Sequence, residues 1–209
     1  MQGGQQMIRA VELYTFLDYC NNSPLEKEVL ECGAGISATL EPLLVRFFDY
    51  GYDTHGIEIS DERLMNAQEY CEENEVDLDI QKGDMRQIPF KDTSISFVFS
   101  YNTIFHMTKE DVEISMGEIE RVLKPNGLCF VNFLSVDSQA FGQGKPLGKG
   151  SFAEQANGIE FLHTYFEDHE PDEYFAGFEI LHKEKRIRET SLGEKRNKRA
   201  YIDYIAMKR

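Results

Sequence analysis

The sequence lacks the features that mark membrane, secreted and metal-binding proteins. None of its apolar runs is long enough to span a bilayer. The opening stretch MQGGQQMIRA has no apolar core of the kind that a secretory signal requires. The four cysteines form neither a C-x-x-C pair nor a disulfide-rich spacing. We therefore expect a cytoplasmic protein with no membrane partner and no metal, whose cysteines are reduced core residues.

The chain also has fewer basic than acidic residues. The chain has 22 Lys and Arg against 37 Asp and Glu, a formal net charge of −15. Such a surface repels nucleic acid, which is therefore not an expected partner. Ten of the basic residues nevertheless fall within residues 181–209, which hold only four acidic ones. This basic segment either binds an anionic substrate or nucleic acid, or faces the acidic body or a second subunit of a homodimer. The usual behaviour of charge runs favours the second reading.

The order of apolar and amphipathic stretches predicts the fold class. A length of 209 residues suits a single domain. Strands alternate with helices through residue 135, which predicts an α/β, doubly wound, Rossmann-like sheet of mostly parallel strands. Two later strands predict an antiparallel hairpin at its C-terminal edge. The amphipathic patterns predict helices over 8–20, 36–51, 60–74 and 109–123, with Ser60 as an N-cap.

The stretch ECGAGISA carries the first chemical signal. Gly33, Gly35 and Ala38 fit the G-x-G-x-x-A pattern of dinucleotide binding. Glu58 follows the second predicted strand, where its carboxylate could accept hydrogen bonds from the two hydroxyls of a ribose. Glu31 opposes the dinucleotide reading, because a buried carboxylate repels a pyrophosphate. It favours instead a ligand with adenosine at one end and cationic groups at the other.

Five stretches resemble, in order along the chain, the motifs of class I S-adenosylmethionine-dependent methyltransferases: VLECGAG, HGIEIS, QKGDMRQIPF, FVFSYNTIFHM and EIERVLKPNGLCFVNF. Within that family, the chain resembles the ubiquinone/menaquinone-biosynthesis-like group. The resemblance implies S-adenosyl-L-methionine as cofactor, S-adenosyl-L-homocysteine as product and methyl transfer to a small molecule. It departs from the family pattern at Glu31, where Asp is usual, and at Asn126, where glycine is frequent. The resemblance divides the single domain into four parts: an N-terminal helix (1–24), a cofactor-binding core (25–135), a substrate-side loop and helix (136–176) and a terminal hairpin (177–209).

The same resemblance implies which residues contact the cofactor. In it, Glu58 binds the ribose, Ile59 packs on the adenine and Asp84 bonds the adenine amino group. The full set of implied cofactor contacts is Glu31, Cys32, Gly33, Gly35, Glu58, Ile59, Asp84, Met85, Ser100 and Tyr101. The candidate acceptor contacts, from their positions in the chain, are Tyr101, His106 and His163, with Tyr165 beside them. The alternative for His106 is a structural histidine at a helix entry, and the alternative for His163 and Tyr165, which general loop behaviour favours, is an ordinary surface. Tyr101 and His106 are also candidate general bases, although methyl transfer needs a base only when the nucleophile loses a proton. No residue is identified as catalytic, and Tyr14 either covers the cofactor or lies in the core.

Other readings stay open. The glycine-rich stretch 142–150 is predicted to be a flexible loop that closes over the pocket as a lid, or else a plain surface connection. The absence of Asn-Pro-Pro-Tyr after the fourth strand argues against methylation of DNA base amines. The alternatives to a small-molecule methyltransferase are a non-catalytic cofactor-binding module of the same fold, an NAD-dependent oxidoreductase, and methylation of nucleic acid or protein through the basic segment.

Overall fold

A central sheet organises the molecule. The computed structural model describes residues 10–156, 159–192 and 195–209. Its strands are β1 Glu28–Cys32, β2 Asp53–Glu58, β3 Asp79–Lys82, β4 Ile95–Ser100, β5 Leu123–Ser135, β6 Lys145–Gly148, β7 Ser151–Ala156, β8 Ile159–Phe166, β9 Phe178–Leu192 and β10 Lys195–Lys208. The central strands run in the order β3-β2-β1-β4-β5-β10-β9. β1 to β5 are parallel, and β10 is antiparallel to both β5 and β9. The predicted parallel sheet with an antiparallel hairpin edge is confirmed.

Helices cover both faces of this sheet, as a doubly wound fold requires. They are α1 Glu12–Asn21, α2 Leu44–Asp49, α3 Asp61–Asn74 and α4 Lys109–Val122, with short 3₁₀ helices at Ile104–His106 and Glu170–Phe175. On one face, Phe16 of α1 and Phe47 of α2 pack on Phe99 of β4. On the other face, Ile119 of α4 shares a core cluster with Val98. Among the described residues, no helix has both the length and the apolar character needed to cross a membrane.

The second predicted helix is much shorter than its pattern suggests. The prediction was residues 36–51, whereas α2 begins at Leu44. Pro42 explains the difference, because a proline disfavours helical backbone in the residue before it and clashes with a preceding helical turn. Residues 36–43 therefore form an open loop after the glycines. The predicted start of the first helix, at residue 8, lies outside the described residues.

The predicted loop at 142–150 is partly wrong. Residues 145–148 form β6, which pairs antiparallel with β7, and β7 pairs antiparallel with β8. β8 then joins the end of β5 in parallel, through Leu134–Tyr165 and Ser135–Phe166. These three strands form a small sheet at the carboxyl edge of the central one. Closure of this sheet as a lid stays a hypothesis.

The predicted cap of α3 is confirmed. Ser60 has extended backbone, and its side chain accepts a hydrogen bond from the Arg63 amide. Replacing Ser60 by alanine should lower the free energy of unfolding by about 1 kcal/mol, because that amide loses its partner. Urea unfolding followed by circular dichroism measures the change. The exposed Ser37, whose side chain caps no helix, supplies the control Ser37→Ala; an equal loss in both variants would contradict a capping role.

Candidate functional site

The loop after β1 approaches its neighbours too closely for any side chain. Gly33 has φ +92°, and a Cβ there would lie 2.4 Å from Oγ1 of Thr103. A Cβ on Gly35 would lie 2.4 Å from Oε2 of Glu58. The backbone amides of Gly33 and Ala34 both donate to the carbonyl of Ile57, at 2.9 and 3.0 Å. The loop is therefore tied to the end of β2, and its glycines form a cradle without side chains, against which Thr103 and Glu58 pack.

Glu58 is held at the carboxyl end of β2. The residue is buried, at 5% exposure. Its Oε2 accepts from the Gly35 amide at 3.0 Å, and its Oε1 accepts from the Ser60 amide at 2.7 Å. Two backbone donors thus fix the orientation of the carboxylate, and its remaining lone pairs face a cleft.

That cleft, here called the β2 cleft, has a volume of about 330 Å³. Its walls combine apolar side chains with a few polar ones, and they comprise Gly33, Ile57, Glu58, Ile59, Gly83, Asp84, Met85, Arg86, Thr103, His106, Met107, Asp111 and Leu162. Ile59 is 58% exposed and stands at the opening, whereas Met85 is buried. This combination suits a flat aromatic ligand with polar edges.

Asp84 is paired within the protein. Arg86 donates to its carboxylate through Nε at 3.0 Å and through Nη2 at 2.6 Å. These hydrogen bonds lower the pKa of Asp84. Nη1 of Arg86 also donates to Asp111 at 3.3 Å. Asp84 therefore remains an ionised acceptor on the wall of the cleft, with its charge neutralised by an arginine that the sequence did not single out.

A second cavity, the glycine cleft, lies on the other side of the loop. It has a volume of about 410 Å³ and is lined by Ala10, Glu31, Gly33, Gly35, Ile36, Leu40, Glu41, Leu43, Arg63, Tyr101, Asn102, Thr103, Arg188 and Arg199. Glu31 is only 3% exposed. Its Oε2 has no hydrogen-bond partner among the described residues. Burial, and next the charge of Glu58, raise the pKa of Glu31 well above its usual range. A buried carboxylate without a partner is a strong site for a cation.

The third cavity, the β8 cleft, has a volume of about 510 Å³. Its lining residues are Asn102, Phe105, His106, Leu134, Ser138, Ala140, Glu154, Gln155, Phe161, His163, Tyr165, Asn197, Lys198, Arg199 and Tyr201. It shares His106 with the β2 cleft and shares Asn102 and Arg199 with the glycine cleft. The three cavities therefore meet at the segment that follows β4.

His106 stands where the β2 and β8 clefts join. Its Nδ1 lies 3.1 Å from the carbonyl oxygen of Leu162, and its ring centroid lies 4.8 Å from that of His163, with the rings tilted by 42°. Desolvation of the ring, and next the neighbouring His163, lower the pKa of His106, although the residue as a whole is exposed. The imidazole is therefore neutral near pH 7, and because a carbonyl only accepts, Nδ1 carries the proton. The lone pair is on Nε2, which can accept a proton.

The structure separates the sequence-predicted residues into lining and non-lining groups. Cys32 and Ser100 are fully buried and line none of the three cavities. Tyr101 lines the glycine cleft, but its hydroxyl donates to Glu12 at 3.1 Å, and burial raises its pKa. A phenol held protonated is unsuited to act as a base. Tyr14 is 42% exposed and lies under the guanidinium of Arg46, so it is not a core residue; that it covers the cofactor stays a prediction.

Comparison with known proteins identifies a domain within the chain. The family described as "Methyltransferase domain" matches residues 30–131. This part of the chain carries a methyltransferase domain. A curated but uncharacterised protein of Haemophilus influenzae is 29% identical over 109 residues, which cover 51% of this chain and 42% of that protein. The chain thus spans less than half the length of that relative.

Solved structures share the fold of this methyltransferase domain. A S-adenosylmethionine-dependent methyltransferase of Methanosarcina mazei has a TM-score of 0.75 at 19% identity, covering 91% of this chain and 96% of that one. A Pyrococcus horikoshii protein has a TM-score of 0.70 at 17% identity, covering 96% and 93%. The magnesium protoporphyrin IX methyltransferase of Synechocystis, solved with S-adenosylmethionine bound, has a TM-score of 0.62 at 14% identity, covering 95% and 77%.

Several residues that line the clefts or support them are not predicted as site residues from the sequence. Asn102 adopts φ +54°, and its amide donates to Oδ1 of the buried Asn132 at 2.7 Å. Nδ2 of Asn132 donates in return to Oδ1 of Asn102 at 2.8 Å. This pair fixes the turn that places Thr103 against Gly33. Asparagine tolerates left-handed backbone, so an asparagine directly after a buried strand could have indicated a tight turn at the site. The sequence around the cleft arginines does not indicate that they line a cleft.

Proposed function

We propose that the chain is an S-adenosylmethionine-dependent methyltransferase that acts on a small-molecule acceptor bound in the β8 cleft. The observation that carries the proposal is Glu31, a buried carboxylate whose Oε2 lacks a partner, in the cleft lined by Gly33 and Gly35. Arg63, Arg188 and Arg199 lie elsewhere on the wall of the same cleft. A cationic group beside Oε2 supplies the missing partner, whereas a phosphate at that position places like charge against it. This contrast favours the methyl donor over NAD.

The described residues fit such a cofactor along its length. The β2 cleft would take the adenine between Ile59 and Met85, with Asp84 as acceptor for its amino group. Glu58 has lone pairs left for ribose hydroxyls after its two backbone hydrogen bonds. Glu31, in the glycine cleft, would face the cationic end. When bound, the cofactor supplies an activated methyl group, whose bond to sulfur breaks with its electron pair left on sulfur as the acceptor atom bonds the methyl carbon.

The protein's own contribution to the reaction is position. The β2, glycine and β8 clefts adjoin, so residues 101–106 can hold donor and acceptor side by side. Orientation of two reactants of this kind is worth roughly 7–11 kcal/mol of barrier. The volume of the β8 cleft, about 510 Å³, lies within the range of small-molecule sites. If the acceptor atom carries a proton, Nε2 of His106 is the available base on the wall between the clefts.

Calorimetric titration with S-adenosylmethionine, S-adenosylhomocysteine and NADH tests the cofactor assignment. Both sulfur ligands should bind, and NADH should not. Glu58→Gln should weaken S-adenosylhomocysteine binding about tenfold, because it removes the charge from the hydrogen bonds to the ribose.

The exposed Glu75, which follows α3, provides the matched control Glu75→Gln, with the same change of charge away from the clefts. NADH binding in place of the sulfur ligands would contradict the proposal and favour an oxidoreductase. Tight cofactor binding without methyl transfer to any compound in a broad screen of small molecules would favour a binding module.

A further inference from the structure

Basic side chains converge on the clefts of an otherwise acidic protein. Arg63 and Arg188 line the glycine cleft, Lys198 lines the β8 cleft, and Arg199 lines both. Arg86, which lines the β2 cleft, is by contrast paired with Asp84. None of the four cleft residues forms an ion pair with any residue the structure describes. In a chain of net charge −15, these four are unusual in facing a cavity without a counterion.

Two of these arginines are placed against each other. Arg188 of β9 and Arg199 of β10 are direct partners in the antiparallel ladder. Side chains of directly opposed residues lie on the same face of a sheet, and like charges in that arrangement repel. Both arginines border the glycine cleft. Their juxtaposition is unfavourable in the free protein and becomes favourable when an anion lies between or beside the two guanidinium groups.

The acidic residues of the same cavities have other partners. Glu154 of the β8 cleft accepts a hydrogen bond from the Tyr165 hydroxyl at 2.8 Å, and Nδ1 of His163 lies 3.1 Å away. Glu41 of the glycine cleft accepts from the Tyr70 hydroxyl at 3.3 Å. Glu31 has a raised pKa, which disfavours its charged form in the free protein. Arg199 is the one of the four bases that borders both the glycine cleft and the β8 cleft.

Part of the wall of the β8 cleft is apolar and aromatic. Phe105 and Tyr201 lie with ring centroids 6.1 Å apart, and Tyr165 stands edge-on to His163 at 6.3 Å. Phe161 and Leu134 complete the apolar lining. Such walls take a flat organic body, and the arginines at one side take its charged end.

We propose that the methyl acceptor is a small aromatic or otherwise apolar acid whose carboxylate or phosphate binds Arg199 and Arg188, with its body in the β8 cleft. This inference rests on the proposed function, since the β8 cleft is an acceptor site only if the cofactor fills the other two. The local positive charge also draws an anion into a protein whose overall charge would otherwise repel it.

Calorimetry on protein saturated with S-adenosylhomocysteine tests the inference, with benzoate, phenyl phosphate and the neutral isostere benzamide as probes. At least one acid should bind at millimolar concentration, at least tenfold more tightly than benzamide. Arg199→Gln should weaken binding of that acid about tenfold, and by a clearly larger factor than it weakens binding of S-adenosylhomocysteine. Lys91→Gln, an exposed residue outside the three cavities, is the charge-matched control and should change neither.

Thermal unfolding supplies a second readout that a general folding defect would not reproduce. Arg199→Gln should raise the unfolding temperature of the free protein, because it relieves the repulsion from Arg188. Three results would each overturn the inference. In the first, neither acid binds, and in the second, benzamide binds as tightly as the acids. In the third, Arg199→Gln loses as much affinity for S-adenosylhomocysteine as for the acid, which would assign the arginine to the cofactor. If neither the wild type nor any of the variants binds S-adenosylhomocysteine, the proposed function itself is refuted.

Discussion

Gly35→Ala should weaken S-adenosylmethionine binding by about 100-fold or more while the protein stays folded. A Cβ at this position would lie 2.4 Å from Oε2 and 2.5 Å from Cγ of Glu58, so the glutamate side chain has to move. That movement removes the carboxylate from the Gly35 amide and from the cradle where the ribose is proposed to bind. Two charge-assisted hydrogen bonds are worth about 1.5–3 kcal/mol each, which accounts for the size of the loss. Isothermal calorimetry measures it directly.

Gly117→Ala is the matched control for this prediction. Gly117 lies within α4, and a Cβ there would meet nothing within 4 Å. Alanine is the better helix former, so this variant should be more stable by about 0.5–1 kcal/mol and should bind the cofactor as the wild type does. Unchanged cofactor affinity in Gly35→Ala would show that the ligand does not depend on the position of Glu58.

Glu31→Gln should lower S-adenosylmethionine affinity roughly 30-fold or more and should not destabilise the free protein. Glutamine keeps the shape of the protonated acid but cannot provide a negative charge to a cationic ligand. Truncating one partner of a buried charge pair typically costs about 2 kcal/mol or more. In the free protein, burial and the charge of Glu58 disfavour the ionised carboxylate more than Arg46 and the Leu44 amide favour it, so no net stability is lost when its charge is removed. Opposite effects on binding and stability distinguish a ligand-binding role from a structural one.

The pH dependence follows from the raised pKa of Glu31. A cation bound beside the carboxylate favours its ionised form, so binding expels a proton and wild-type affinity should rise with pH up to the raised pKa. Stability of the free protein has the opposite trend. A carboxyl whose folded pKa is raised contributes stability that is present below its unfolded pKa, about 4.3 for glutamate, and is lost as the pH rises through the folded pKa.

Glu31→Gln should abolish the pH dependence of affinity below about pH 7.5, where the cofactor's own amino group stays charged. Titrations of both proteins at several pH values, with urea unfolding alongside, measure the two trends. Glu75→Gln again controls for the general loss of a negative charge. A wild-type affinity that is flat with pH, or a Glu31→Gln variant that follows the same curve as the wild type, would refute the role given to Glu31.

The basic C-terminal segment divides into two parts that its composition did not separate. Lys183 pairs with Asp172, and Arg186 pairs with Asp203 and Glu12, so these bases face the acidic body as the charge-run rule predicts. Arg188 and Arg199 instead border the clefts. Arg186 and Arg188 are two residues apart on β9 and lie on the same face, so their different surroundings come from their positions along the strand, which a count of charges does not register. A homodimer through this segment stays a prediction.

The sequence by itself determined the sheet, the glycine loop and the end of each strand where a ligand would lie. Buried parallel strands read as short apolar runs, and glycine is required wherever backbone approaches backbone or a carboxylate closely, so both signals are local. The cap at Ser60 and the left-handed Asn126, with φ +63°, are local for the same reason.

Only the tertiary structure decided which polar groups in the site lack partners. Asp84 is paired by Arg86, two residues along the chain, whereas Oε2 of Glu31 is unpaired because of what surrounds β1 in space. The opposition of Arg188 and Arg199 depends on the register of β9 and β10, and the contact of His106 with Leu162 depends on where β8 crosses the sheet edge. Charge, burial and pairing are properties of a neighbourhood assembled from distant segments, and for that reason the chemistry of the acceptor side became visible only in the folded protein.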